Sequence, residues 1–322
     1  MTISKDPSAT LVAVVGATGT QGGSVINALV ESDKPYRVRG FTRDAAKPAA
    51  QELVKLGVEV VVVSLVVENK EEVYKAFVGA DVAFLVTNFW EHTDVEKEIS
   101  EGKLLIDAGK AGGVSRIVWS GLPSFNKLSS GKYANVYHFD GKAVITEYGR
   151  QSGIQFVDVQ AGFYGQNFQG NTPSMLAKQA DGSFVIALPV KPTTIIPFID
   201  AVHDYGLFVR QVLEDPIFPD GSEIVAHGEK ITYPDLAQQL SEVTGKKVVF
   251  QQVSVEQFKQ GVQALALPPH IALDMLEFMQ AWDEFGCAYC PKFLVNRIDQ
   301  PAVRPRTWTE FAKNSDWSKA LA

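Results

Sequence analysis

The chain has 322 residues, 46% hydrophobic and 21% charged, with a net charge of −7 and an isoelectric point near 5.4. That composition supports one large core or two modest ones and excludes a disordered or fibrous class, while an acidic balance with no Lys/Arg-rich run excludes direct nucleic-acid binding. No apolar stretch approaches the roughly 20 residues that cross a bilayer, and the two cysteines, Cys287 and Cys290, form no disulfide framework, so a soluble cytoplasmic protein is expected, with the nucleus also open.

The first apolar run, 11–15, follows Lys5 and Asp6 and leads straight into glycines, so it reads as a strand rather than a signal sequence. Further β-branched runs at 36–42, 58–64, 82–87, 116–120 and 155–160 alternate with helical stretches at 22–32, 45–56, 70–77, 94–111 and 137–151. Continuous apolar strands separated by helices predict an α/β fold, a doubly wound parallel sheet covered on both faces. Acidic residues from Asp94 to Glu98 open one of these helices and Gly112-Gly113 closes it, as helix termini prefer. After Ala161 the alternation fades. Residues 1–160 are therefore assigned to the sheet domain and 161–322 to a smaller α+β region, with helices at 233–243 and 271–285, a strand at 247–253, and strands at 194–199 and 223–226 returning to the first sheet.

Between the first strand and first helix stands Gly16-Ala17-Thr18-Gly19-Thr20-Gln21-Gly22-Gly23. In that setting the three-residue glycine spacing serves a dinucleotide: one glycine for the tight turn, one for backbone approach to a pyrophosphate, one for close packing of helix on sheet. Free N–H groups of the helix start face the anion. Gly16, Thr18, Gly19, Thr20, Gln21 and Gly22 are the candidate contacts. The second strand ends Phe41-Thr42-Arg43, with Lys47 one turn on; two cations suit the 2′-phosphate of NADP(H), whereas an acidic residue there would suit NAD. Asp44 competes, either for Arg43 or for a ribose.

Thr87-Asn88-Phe89-Trp90-Glu91 and His138-Phe139-Asp140-Gly141-Lys142 resemble blocks of the NmrA-like family, a branch of the atypical short-chain dehydrogenase/reductase superfamily. The glycine turn, Thr42-Arg43, the segment from Phe163-Tyr164 to Asn167 and a closing Trp308-Thr309-Glu310-Phe311 helix follow in family order, and the likeness is greatest to the NADPH-sensing members. The resemblance implies a Rossmann domain with a smaller C-terminal domain forming a cleft over the nicotinamide. It places the pyrophosphate at Gly16, Gly19 and Gly22, the 2′-phosphate at Arg43 and Lys47, the ribose side at Thr87 and Asn88, and the nicotinamide ribose at Lys142. Phe163, Tyr164 and Asn167 join the cofactor side. Where the family commonly has an Asp beside the adenine, this chain runs Val63-Ser64-Leu65, leaving Ser64 as the hydrogen-bonding group.

Reductases of the superfamily carry a Tyr four residues before the Lys; here that position is His138. Helical geometry sets Tyr137 roughly 140° around from Lys142, so it does not replace the missing phenol. Three readings stay open. His138 and Lys142 hold the cofactor without a working proton donor, in a redox sensor or regulator that changes shape for a protein partner; His138 is the general acid of an NADPH-dependent reductase of a small carbonyl, quinone or enone; or His138 is structural, capping a carbonyl, and the chemistry draws on the C-terminal region. Ser120, at the end of the fifth strand, is a candidate substrate-orienting hydroxyl or an ordinary strand-end serine. Trp90, Phe163 and Tyr164 either line a pocket near the nicotinamide or pack the interdomain seam. Cys287 and Cys290 have dithiol spacing without a second pair for zinc, leaving coincidence or a redox switch. The oligomeric state, monomer or homodimer, is left open.

Overall fold

Both sides of the first strand are apolar, and that alone dictates layers above and below it. In the computed structural model, which describes residues 3–170, 175–286 and 303–322, Val12 and Val14 of β1 (Thr10–Val14) enter one core while Leu11 and Ala13 enter the other, all fully or nearly buried. The first half continues as α1 (Thr20–Val30), β2 (Tyr36–Thr42), α2 (Pro48–Lys55), β3 (Glu59–Val62), α3 (Lys70–Phe77), β4 (Val82–Leu85), α4 (Val95–Gly112), β5 (Arg116–Trp119), a short α5 (Phe125–Leu128), α6 (Tyr137–Arg150) and β6 (Gln155–Ala161). The predicted α4 signals act as read: Asp94 accepts from the backbone N–H groups of Glu96 and Lys97, and Gly113 closes the helix at φ +95°.

The second half supplies β7 (Phe163–Tyr164), β8 (Ala177–Lys178), β9 (Phe184–Leu188), β10 (Ile195–Ile199), α7 (Tyr205–Glu214), β11 (Glu223–Ala226), β12 (Glu229–Thr232), α8 (Tyr233–Thr244), β13 (Val248–Gln252), α9 (Val255–Ala264), α10 (Pro269–Phe285) and α11 (Trp308–Lys313). Seven strands form one all-parallel sheet in the order β11-β6-β5-β4-β1-β2-β3, a Rossmann-type doubly wound sheet. Two three-stranded sheets, β12-β10-β7 and β13-β9-β8, build the smaller lobe around a third core that includes Phe168, Phe198, Tyr233 and Trp308.

Two elements cross back from the second half. β11 pairs in parallel with β6 at the sheet edge, and α7 packs on α1 so closely that a Cβ at Gly206 would stand 2.0 Å from the Ser24 carbonyl oxygen. Gly206 N–H also donates to Ser24 Oγ at 2.9 Å. The other expected return does not occur: β10 pairs with β12 and β7 in the smaller lobe. β11 occupies the sheet edge beside β6, and Ile196 and Phe198 of β10 fill the third core instead. Among the described residues no helix is long and apolar enough to cross a membrane.

Candidate functional site

The glycine turn is built for a close backbone approach. Gly16 sits at φ +66°, and its carbonyl accepts from Gly19 N–H at 2.8 Å. A Cβ at Gly22 would lie 2.2 Å from that same oxygen. α1 starts at Thr20 after Gly19, with no side-chain cap and no acidic residue in its first turn, so its orphan N–H groups and positive dipole end are presented to an anion. Thr18, Gly19 and Thr20 are exposed here. Gln21 is not: its Oε1 accepts from Ser120 Oγ at 3.0 Å, and its side chain also bonds the Tyr164 phenol, whose ionisation burial pushes far up. Gln21, Ser120 and Tyr164 thus form one internal strut between the turn, the end of β5 and β7.

Arg43, just past β2, is two-thirds exposed and pairs with Glu91. Asp44 is not its partner; Asp44 accepts from Ala46 N–H at 2.9 Å. Lys47 is exposed at the start of α2. Ser64 takes the Asn69 side-chain amide on its carbonyl at 2.9 Å and lines an open depression of about 410 Å³ along the outer edge of β3, with Arg39, Glu59 and Lys75.

The loop after β4 meets α6, so that the two blocks quoted above interlock. Lys142 Nζ donates at 2.9 Å to the Thr87 carbonyl, to Thr87 Oγ1 and to Glu98 Oε1, which engages all three ammonium hydrogens. Thr87 Oγ1 donates in turn to Glu98 at 2.7 Å, and Glu98 is fully buried. Four residues earlier on the same helix face, the His138 ring packs against Trp90 at 5.1 Å between centroids and Phe278 at 5.1 Å. Trp90 is 52% exposed, so it is a wall open to solvent rather than core. His138 caps no carbonyl through Nδ1; that nitrogen lies 2.5 Å from Oδ1 of Asp274, a fully buried carboxylate on α10. The other oxygen, Oδ2, accepts from His138 backbone N–H at 3.0 Å. Tyr137 turns away, as expected, and bonds Asn135 Oδ1 at 2.7 Å.

Arg43, Lys142 and His138 are therefore gathered around one loop, Thr87 to Glu91, at the carboxyl ends of the central strands, where open α/β sheets bind ligands. Asn88 is exposed on that loop. Phe163 packs on Phe168 and Tyr233 in the smaller lobe, and Asn167 is exposed on the turn at Gly165–Phe168. Cys287 and Cys290 lie outside the described residues.

Glu98 and Asp274 are the site residues that the sequence reading missed. Each stands on the apolar stripe of its helix, Glu98 with Val95, Gly102 and Leu105, and Asp274 with Ile271, Phe278 and Ala281. A carboxylate at helical spacing within such a stripe is the available signal, since buried charges are retained only with partners. Asp158, midway along β6, is a third: it accepts from Gly121 N–H at 2.8 Å and from Thr146 Oγ1 at 3.1 Å, and burial raises its carboxyl to about 6.

A family model described as the NmrA-like family matches residues 8–312. An NmrA-like family domain-containing protein of Dictyostelium discoideum is 31% identical over 245 residues, covering 74% of this chain and 79% of its own. The NmrA-like family domain-containing oxidoreductase ptmS of Penicillium ochrochloron is 30% identical over 257 residues, 76% of each. Among solved structures, NmrA, a negative transcriptional regulator, superposes in its NAD complex with a TM-score of 0.74 at 23% identity, over 96% of this chain and 99% of that one. Its NADP complex gives 0.70 at 24% identity, over 95% and 90%. With its parallel sheet, glycine turn and interlocked Thr87 and His138 blocks, this chain belongs to the NmrA-like family.

Proposed function

We propose that the chain binds NADP(H) along the carboxyl ends of β1, β2 and β4 and reduces a small carbonyl, quinone or enone, with His138 as proton donor. The reading is carried by one observation: the histidine at the position of the superfamily's tyrosine is held by a buried carboxylate, on the helix face that also bears Lys142. The cofactor supplies the hydride when bound. The chain's own residues do the rest. The uncapped start of α1 and the Gly16–Gly22 approach fit a pyrophosphate, because a side chain at Gly22 would fill the space the backbone needs. Arg43 and Lys47 suit a 2′-phosphate, and the strut of Gln21, Ser120 and Tyr164 keeps turn and strand in register. Trp90 shields one side of the imidazole from water.

The test is NADPH depletion over a panel of quinones, enones and aldehydes, with wild type beside His138→Ala. Turnover that drops by about 100-fold or more in the variant is the expected result for a lost general acid. Tight NADPH binding with no turnover by either protein would instead support a redox sensor or regulator. That second reading is favoured by the Arg43–Glu91 pair, since a phosphate on Arg43 would release Glu91 and with it the loop that carries Trp90.

A further inference from the structure

We propose that Glu98 is the positioning residue of Lys142: its buried carboxylate holds the ammonium at the edge of the cofactor site, where it is offered to the nicotinamide ribose. The inference rests on the NADP(H) reading above and is the same for a reductase or a sensor.

Of the two charges in this pair, only one reaches the site. Lys142 keeps 12% of its side chain exposed, and Glu98 keeps none. Glu98 Oε1 accepts from Lys142 Nζ at 2.9 Å and from Thr87 Oγ1 at 2.7 Å, while Oε2 is buried without a hydrogen-bond partner among the described residues. A carboxylate with one bare oxygen is poorly compensated for leaving water, and a buried ion pair is commonly no more stabilising than apolar residues of the same size. Glu98 shares its buried helix face with Gly102 and Leu105, a setting in which an apolar side chain would serve as well. Stability therefore does not account for the pair, whereas placement of a charge does.

The placement is tight. α4 and α6 meet at Gly141, beside Lys142, where a Cβ would stand 2.9 Å from Val95 Cγ2 and 3.1 Å from Glu98 Oε2. They meet again at Gly102, where a Cβ would stand 2.5 Å from Ile145 Cδ1. Packing this close leaves the carboxylate no room to withdraw from the lysine. The Trp119 ring, fully buried, lies 5.5 Å from the ammonium and adds a cation–π contact.

The three bonds of the ammonium are unequal. Thr87 offers it two neutral acceptors, a carbonyl and a hydroxyl, and only Glu98 sets a negative charge against its positive one. A ribose hydroxyl therefore displaces a Thr87 oxygen rather than the carboxylate, and Glu98 stays the anchor when the cofactor binds. Without the negative charge, the ammonium is left half-buried and unbalanced, and it moves toward water.

Glu98→Gln keeps the shape of the side chain and removes its charge. Calorimetric titration with NADPH and with adenosine 2′,5′-bisphosphate, which has the adenine and the 2′-phosphate but no nicotinamide ribose, separates positioning of Lys142 from a general effect on the fold. Expected is NADPH binding weaker by about 10-fold, the size of one hydrogen bond to a charged group, with adenosine bisphosphate binding unchanged. The double variant Glu98→Met/Lys142→Met removes both charges at similar volume, so it should fold and show the same selective loss. It decides the question if Glu98→Gln does not fold. Unchanged NADPH affinity in a folded Glu98→Gln overturns the proposal, and so does an equal loss for both ligands, which would make Glu98 a support of the whole loop. A wild type that binds neither ligand defeats the NADP(H) reading, and the proposal with it.

Discussion

At Gly22 the backbone comes so close to the Gly16 carbonyl that no side chain fits, and the opposing atom is main chain that cannot swing aside. Gly22→Ala is expected to open the turn, lowering stability by about 1–3 kcal/mol and weakening cofactor binding, as thermal unfolding and fluorescence titration with NADPH would register. Arg43 poses a different problem, because its guanidinium is already paired. An exposed ion pair is worth at most about 1 kcal/mol, whereas charge-assisted bonds to a phosphate are worth about twice an ordinary hydrogen bond, so the phosphate wins. Arg43→Ala should cost about 10-fold or more in NADPH affinity and leave NADH affinity nearly unchanged. Glu91→Gln should tighten NADPH by up to about fivefold, since it removes the competitor. Equal losses for both cofactors in Arg43→Ala would refute the 2′-phosphate assignment.

Among the elements, α7 shows how a local sequence of ordinary helix character acquires a specific seat. Its apolar face, Leu207, Phe208, Val212 and Leu213, would bury against many surfaces; Gly206 admits only one that comes within 2.0 Å of a Cβ, the Ser24 turn of α1. Gly206→Ala is expected to push the two helices apart and destabilise the chain by about 2 kcal/mol or more, with chemical denaturation as the measure. α10 is seated differently, by acidic side chains on the 132–138 segment, and that seat is what brings Asp274 to α6.

Over the whole molecule, two buried groups oppose each other in their response to pH. Burial holds the Asp158 carboxyl at about 6, so the folded chain keeps a proton that the unfolded chain releases near 3.8; this contribution is full below that value and lost as pH rises through 6. Burial holds His227 down at about 4, so the unfolded ring takes a proton near 6.5 that the folded ring refuses; its contribution is full above 6.5 and lost as pH falls toward 4. Each amounts to about 3 kcal/mol on the linkage scale, and the two largely cancel between pH 4 and 6.5. Relative to wild type, Asp158→Asn should therefore gain stability as pH rises across that window and His227→Gln should lose it, in denaturant midpoints taken at half-unit steps. Parallel curves for the three proteins would contradict both assignments.

The amino-acid order by itself determined the repeating strand and helix pattern through residue 160, because the strands are short β-branched runs and the helices between them carry one apolar face, a periodicity that needs no partner to be read. It also determined the glycine turn and the cap at Asp94, where the physics is confined to a few neighbouring residues. Only the tertiary structure decided that β11 and not β10 closes the sheet, since an apolar pentapeptide does not say which edge it will join. The same holds at the site. His138 and Lys142 were legible four residues apart on one helix, but their partners Asp274 and Glu98 are 136 and 44 residues away, and the bonds between them exist only once α10 and α4 are packed against α6.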